Sequence, residues 1–226
     1  MRCQYGSGTG IMRARQGRQA VKDRIVIVDY RAGNLTSVRL AFGALGVETV
    51  VTSDPEKVRA ASRVVFPGVG AAAAAMANLR ALGLTEAVRE AAVAKPFLGI
   101  CLGMQILFEH SEEDGGVDLL GVLPGRVRRF PNVPGCKVPE IGWNEIAAND
   151  PYGFVRTYDE YYFVHSYYAE LNPCTVATAG YAGVEFTAAV RKGDLFACQF
   201  HPEKSGKLGL RLLRSFLNMP AGAGRA

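Results

Sequence analysis

The sequence predicts an α/β fold: a mainly parallel sheet flanked by helices, extended in its C-terminal half by antiparallel strands. Three observations carry that expectation. From Arg24 to about residue 110, short runs that are apolar throughout alternate with segments of helical periodicity, the pattern of strands covered on both faces. Beyond about residue 120 the apolar runs are shorter, rich in Val, Tyr and Phe, and separated by Gly, Pro and Asn, as in strands joined by tight turns. With 226 residues, 49% of them apolar, the chain can bury a substantial core without disulfides.

Taken in order, Ile25–Val28 is a β-branched strand ending in the loop Asp29-Tyr30-Arg31-Ala32-Gly33-Asn34. Leu35, Val38, Phe42 and Leu45 recur at three- and four-residue spacing and predict a helix stopped by Gly46. Residues 47–51 read as a second strand and 56–61 as helical; 64–66 form a third strand that ends at Pro67-Gly68-Val69-Gly70. An alanine-rich helix starts near Ala71, another covers 85–94, 97–100 is a fourth strand, and 102–110 is expected to be helical. Strands follow near 121–130, 141–146, 161–168, 175–180, 186–191 and 195–200. A helix over 207–217 closes the fold with Leu208, Leu212, Leu213 and Phe216 inward. No linker or repeat divides residues 24–218, which are expected to form one domain between a basic N-terminal extension (1–23) and a short tail (219–226).

The charge balance excludes one class of function. The net charge of +5 sits in residues 1–24, where six bases meet one acid; the other twenty bases and twenty acids cancel. The folded part is therefore neutral, and nucleic acid is not an expected partner. No apolar stretch is long enough to span a membrane. Residues 1–23 lack the apolar centre of a secretory signal. Five cysteines at irregular spacings, with no C-x-x-C pair, suggest reduced thiols in a cytoplasmic protein and no metal site.

Gly99-Ile100-Cys101-Leu102-Gly103 has the form of a nucleophile elbow with Cys in place of Ser, set between a strand and a helix. Glycines flank a turn that would crowd any Cβ, and the helix start beyond it favours a thiolate. Leu102 N–H is aimed at an oxygen developing beside the sulfur. A thiol nucleophile needs a base, and the chain holds three histidines. His110, in a charged stretch, reads as a solvated helix end, and His165, in a β-like run, as a hydrogen-bonded structural residue. His201 precedes Pro202-Glu203; in an extended segment residues two apart face the same side, so Glu203 would fix the imidazole that faces Cys101. Pro67-Gly68-Val69-Gly70 is a candidate second oxyanion donor. It is too short for a Walker loop and lacks the Lys-Ser/Thr.

Together Pro67–Gly70, Gly99-Ile100-Cys101-Leu102-Gly103-Met104-Gln105 and Gln199-Phe200-His201-Pro202-Glu203 resemble the motifs of triad (class I) glutamine amidotransferases, a flavodoxin-like fold. Lys137-Val138-Pro139-Glu140-Ile141-Gly142-Trp143-Asn144, Tyr162-Phe163-Val164-His165-Ser166-Tyr167 and Lys204-Ser205-Gly206-Lys207 narrow the resemblance to the glutaminase subunits of imidazole glycerol phosphate synthases, in histidine biosynthesis. The resemblance implies a Cys101 nucleophile, a His201 base and a Glu203 orienter. It implies that Gly68, Val69, Gly70 and Leu102 line the oxyanion region and that Gln105, Glu113, Ser166 and Tyr167 hold glutamine. It implies a heterodimer with a (β/α)8-barrel cyclase that uses the ammonia, and no cofactor.

Three positions depart from the family pattern. Glu140 stands where Lys-x-Pro-His-x-Gly-Trp-Asn has His, in a segment associated with the partner interface; Arg31 replaces a Gly, and Ala72 a Phe. A sister amidotransferase serving anthranilate, guanylate or carbamoyl phosphate synthesis shares the elbow and the His-Pro-Glu, and the partner that co-purifies separates the two. A non-catalytic relative would have lost one of Cys, His or Glu. Removal of residues 1–22 is expected to leave folding and turnover unchanged; precipitation or loss of activity on truncation would refute this.

Overall fold

A computed structural model describes residues 24–31 and 33–220; the expected N-terminal extension and residues 221–226 lie outside the described residues. The first half of the chain runs β1 (Ile25–Val28), α1 (Leu35–Ala44), β2 (Thr49–Thr52), α2 (Pro55–Arg59), β3 (Arg63–Gly68), α3 (Ala72–Ala81), α4 (Leu84–Ala94), β4 (Phe97–Cys101) and the single turn α5 (Leu102–Gln105). Short strands follow: β5 (His110–Ser111), β6 (Val117–Asp118), β7 (Arg126–Arg129), β8 (Glu140–Glu145) and β9 (Ala147–Ala148). The chain ends with β10 (Glu160–His165), β11 (Tyr167–Ala169), β12 (Thr175–Tyr181), β13 (Val184–Lys192), β14 (Leu195–Cys198) and α6 (Gly206–Leu217).

The main sheet has the order β2-β1-β3-β4-β14-β13-β12-β9. It is parallel from β2 to β14 and antiparallel from β14 to β9, as the change in sequence character implied. A β8–β10 ribbon and a small β11-β7-β5-β6 sheet lie beside it. The uniform apolarity of β1 has a direct cause: Val26 and Val28 enter one core with residues of α3 and α4, while Ile25 and Ile27 enter another with residues of α1 and α6. Successive side chains of a strand point to opposite faces, so a strand with helices on both sides needs every position apolar. Edge strand β2 escapes the rule, and its Val50 and Val51 are exposed. On α2, Asp54 caps the helix by accepting from Glu56 N–H, and Pro55 stands in the first turn, where its missing N–H costs nothing. In α6, Leu212, Leu213 and Phe216 are buried and Leu208 packs against them.

One expected helix is cut short. Residues 102–110 read as a helix, but regular structure stops at Gln105. The carbonyls of Ile106, Leu107 and Phe108 accept N–H groups from Leu120, Val122, Leu123 and Gly121 instead of from the next helical turn. That long-range claim pulls the chain into β5. It also leaves most of 121–130 irregular, with only Arg126–Arg129 forming a strand. His110 is therefore a half-buried strand residue with its Nδ1 2.9 Å from Asp118 Oδ1, not a helix end.

The turn from β4 into α5 is set by contact. A Cβ on Gly103 would stand 1.8 Å from the Phe66 carbonyl oxygen of β3, closer than any two atoms can approach without the backbone moving. Gly103→Ala is expected to cost about 2 kcal/mol or more through this overpacking, read as a lowered urea midpoint with an unchanged m-value.

Candidate active site

Three neighbouring parallel strands deliver the site from their carboxyl ends, where open α/β sheets bind ligands. β3 runs on into Val69-Gly70, β4 ends on Cys101, and β14 continues through Gln199 and Phe200 to His201. Cys101 has φ 54 and ψ −114, a conformation that residues with side chains avoid. The strain lifts the sulfur out of the sheet, as the elbow motif implied. Gly99 permits the same close packing from beneath, since a Cβ there would stand 2.8 Å from Ala197 Cβ.

His201 Nδ1 lies 2.7 Å from Glu203 Oε1, and both side chains are fully buried. Asn34 donates its side-chain N–H to the same carboxylate oxygen, so the orienting carboxylate is itself held. The geometry differs from the extended segment expected: directly after His201 the chain enters a single 3-10 turn, Pro202–Lys204. The turn brings Glu203 back beneath the ring. His201 is also tied to β10, with its N–H donating to Tyr162 O at 2.9 Å. Ser205 Oγ donates to His201 O at 2.7 Å and accepts from Tyr162 N–H at 3.0 Å.

The opposite ring nitrogen, Nε2, is buried and has no oxygen or nitrogen partner among the described residues; the Cys101 sulfur is the group beside it. Burial pushes the His201 imidazole down, but the adjacent Cys101 sulfur and the Glu203 carboxylate outweigh it and raise the group to about 10. A protonated His201 ring beside the Cys101 sulfur is the arrangement this favours.

A cavity of about 410 Å³ opens over the sulfur. Cys101, His201, Leu102, Val69 and Gly70 line it, together with Gln105, Glu113, Ser166 and Tyr167. Gly68 is not in the wall. It is buried in β3 opposite Cys101, where a Cβ would meet the Tyr30 hydroxyl at 2.1 Å; its part is close packing. Glu113 accepts the Ala72 N–H at 2.6 Å. Burial raises its pKa, the Ala72 N–H opposes the rise and Asp114 adds to it. Ala72, where the family pattern has Phe, thus meets the site through its backbone.

The other departures resolve differently. Arg31 adopts φ 65, the left-handed backbone a glycine would take. Glu140 does not lie on an exposed docking face: it is buried, with its Oε2 3.0 Å from His165 Nε2. Its neighbours Ile141 and Trp143 are 64% and 58% exposed. His165, expected to be structural, is buried with Nδ1 2.8 Å from Tyr167 O, yet it also borders the cavity.

Two residues at the site escaped sequence reasoning, Asn34 and Gln199. Gln199 Nε2 lies 3.6 Å from Cys101 Sγ. Its spacing of two from His201 was the available signal. The expected helix-terminus support for the thiolate is small, because α5 is four residues long and the dipole grows with aligned peptides.

A model of the class-I glutamine amidotransferase family matches residues 26–219. The chain belongs to that family. It is 50% identical over 199 residues to the imidazole glycerol phosphate synthase subunit HisH of Methanothermobacter thermautotrophicus, a match covering 86% of this chain and 98% of that protein. It is 47% identical over 207 residues to the protein of the same name from Aromatoleum aromaticum, covering 86% and 97%. A crystal structure of a glutamine amidotransferase superposes with a TM-score of 0.67 at 23% identity, over 85% of this chain and 96% of the other. PurLQS from Thermotoga maritima gives 0.64 at 18%, over 87% and 98%. These structures share the amidotransferase fold.

The raised His201 group has a stability consequence. Its contribution is fully present below the ordinary histidine value of 6.5 and is lost as pH rises through about 10. Ring-proton NMR is expected to show His201 charged at neutral pH in the parent protein, and neutralising at lower pH in Cys101→Ala.

Proposed function

We propose that this amidotransferase is the glutaminase subunit of an imidazole glycerol phosphate synthase, with Cys101, His201 and Glu203 as its triad. The observation that carries the reading is the buried Glu203–His201 pair beside the strained Cys101 sulfur, at the mouth of a cavity. Identity of 44–50% to HisH proteins over most of the chain supports the assignment within the family.

The chemistry follows from the geometry. The Cys101 thiolate attacks the side-chain amide carbon of glutamine; a C–S bond forms as the carbonyl pair moves onto oxygen. Backbone N–H groups of Leu102 and of the Val69-Gly70 segment, which line the cavity, receive that charge in this reading. The intermediate collapses by breaking the C–N bond, and the His201 imidazolium gives its proton to the departing nitrogen, releasing ammonia. Water then adds to the γ-glutamyl thioester, losing a proton to His201. The C–S bond breaks, and glutamate leaves with the thiolate restored. Gln105, Glu113, Ser166 and Tyr167 hold the glutamine, Glu113 by its carboxylate. No step calls for a metal or cofactor.

The ammonia passes to a cyclase subunit, a (β/α)8 barrel forming a heterodimer with this chain. There it yields imidazole glycerol phosphate and aminoimidazole carboxamide ribotide from a phosphoribulosyl-formimino carboxamide nucleotide. Exposed Ile141 and Trp143 on β8 suit such a partner. The reduced thiols fit the cytoplasm, and neither nucleic acid nor membrane is a partner.

A glutaminase assay with and without the cyclase and its nucleotide tests this. Cys101→Ala is expected to abolish glutamine-dependent synthesis and leave ammonia-dependent synthesis by the complex intact, with parent hydrolysis slow until the partner is added. Continued glutamine hydrolysis by Cys101→Ala would require another nucleophile.

A further inference from the structure

Behind the triad lies a chain of two buried amides, of which the scheme above uses Gln105 alone. Gln105 Nε2 donates to the Tyr167 carbonyl at 2.7 Å and to Gln199 Oε1 at 2.8 Å, and Gln199 Nε2 reaches Cys101 Sγ at 3.6 Å. Gln105 and Gln199 are both buried.

The orientation of this chain follows from chemistry. The Tyr167 carbonyl is an acceptor only, so the Gln105 atom facing it must be the amide nitrogen. That nitrogen then needs an acceptor on Gln199, which turns the Gln199 oxygen toward Gln105. The only Gln199 atom left to face the sulfur is its NH2. A backbone carbonyl on β11 thus dictates that an N–H donor points at the nucleophile.

We propose that Gln199 is a catalytic residue, an N–H donor that holds the Cys101 sulfur in its anionic form both before attack and as it leaves the thioester. The proposal rests on the reading of Cys101 as nucleophile and deepens it.

The surroundings of the sulfur support the assignment. As a neutral thiol, Cys101 can donate only weakly to the Val164 carbonyl, 3.9 Å away. As an anion it would be repelled by that carbonyl and needs donors in its place. His201 is one, but His201 must give its proton to the departing nitrogen and later take one from water. Gln199 has no acid–base chemistry of its own and stays a donor throughout. The single turn of α5 offers little else.

Two substitutions separate a donor role from a packing role. Gln199→Glu keeps the shape and keeps an oxygen for Gln105, but sets a carboxylate against the sulfur. Gln199→Met keeps the volume and removes the donor without adding charge. Each is assayed in the complex for glutamine turnover. Each is also treated with iodoacetamide across pH, with modification of Cys101 followed by peptide mass spectrometry.

Gln199→Met is expected to lower kcat on the order of tenfold with KM little changed, since a hydrogen bond to a charged group is lost. Its alkylation profile should be displaced to higher pH. Gln199→Glu should lose more than Gln199→Met on both readouts. Ammonia-dependent synthesis should stay at the parent rate in each.

If Gln199 only supports Gln105, Gln199→Met will raise KM for glutamine while kcat and the alkylation profile stay at the parent values, and the proposal falls. Should Gln199→Met fail to fold, Gln199→Leu, which also removes the donor without adding charge, decides between these outcomes by the same two readouts. An inert Cys101→Ala together with unaffected Gln199 variants would overturn this inference alone. A Cys101→Ala that still hydrolyses glutamine would overturn the nucleophile reading beneath it.

Discussion

The site rests on how closely the ends of three adjacent parallel strands can approach one another. Gly103 lies against the Phe66 carbonyl and Gly99 against Ala197, so the chain reverses directly after β4 without an intervening loop. Cys101 absorbs that reversal in its backbone, at φ 54. The strained conformation persists because the strands on either side, β3 and β14, fix it through continuous pairing. The Cys101 sulfur is therefore carried at the end of a strand paired on both sides, while many of the other residues around the cavity come from loops and short strands.

Burial then sets the electrostatics. With so little water near the sulfur and the ring, each charge must be answered by a specific protein group. Glu203 is answered by His201 and Asn34, and His201 by Glu203 and the Cys101 sulfur. The sulfur in turn is faced by a Gln199 amide whose direction is set two residues away in the network, at a backbone carbonyl. A second buried pair joins Glu140 of β8 to His165, which with Val164 of β10 lines the cavity. On β8 Glu140 is buried while Ile141 and Trp143 are exposed, so one short strand contributes both a partner for His165 and an apolar outer surface.

Much of this was legible from residues alone. The doubly covered strands declared themselves by being apolar at every position. The elbow was visible because only glycine can stand where Gly99 and Gly103 stand, and the spacing of His201 and Glu203 proposed their partnership. Several of the failures share one cause. The run 102–110 has helical periodicity, yet the carbonyls at 106–108 are taken by residues 120–123, a competition no local pattern records. His110 and the long strand expected over 121–130 went wrong with it. The His201–Glu203 contact was anticipated by the wrong backbone, since a 3-10 turn and an extended segment can both bring neighbours two apart together.

The sequence by itself determined the strand and helix order through the first half, the elbow that carries Cys101, and the family to which the chain belongs. These are properties of local spacing and of side-chain types that have few alternative uses. Only the tertiary structure decided that Glu140 turns inward, that Asn34 holds Glu203, and that an amide of Gln199 faces the sulfur. Those facts depend on which distant groups meet in a dry interior, where every polar atom must find a partner among whatever the fold brings near.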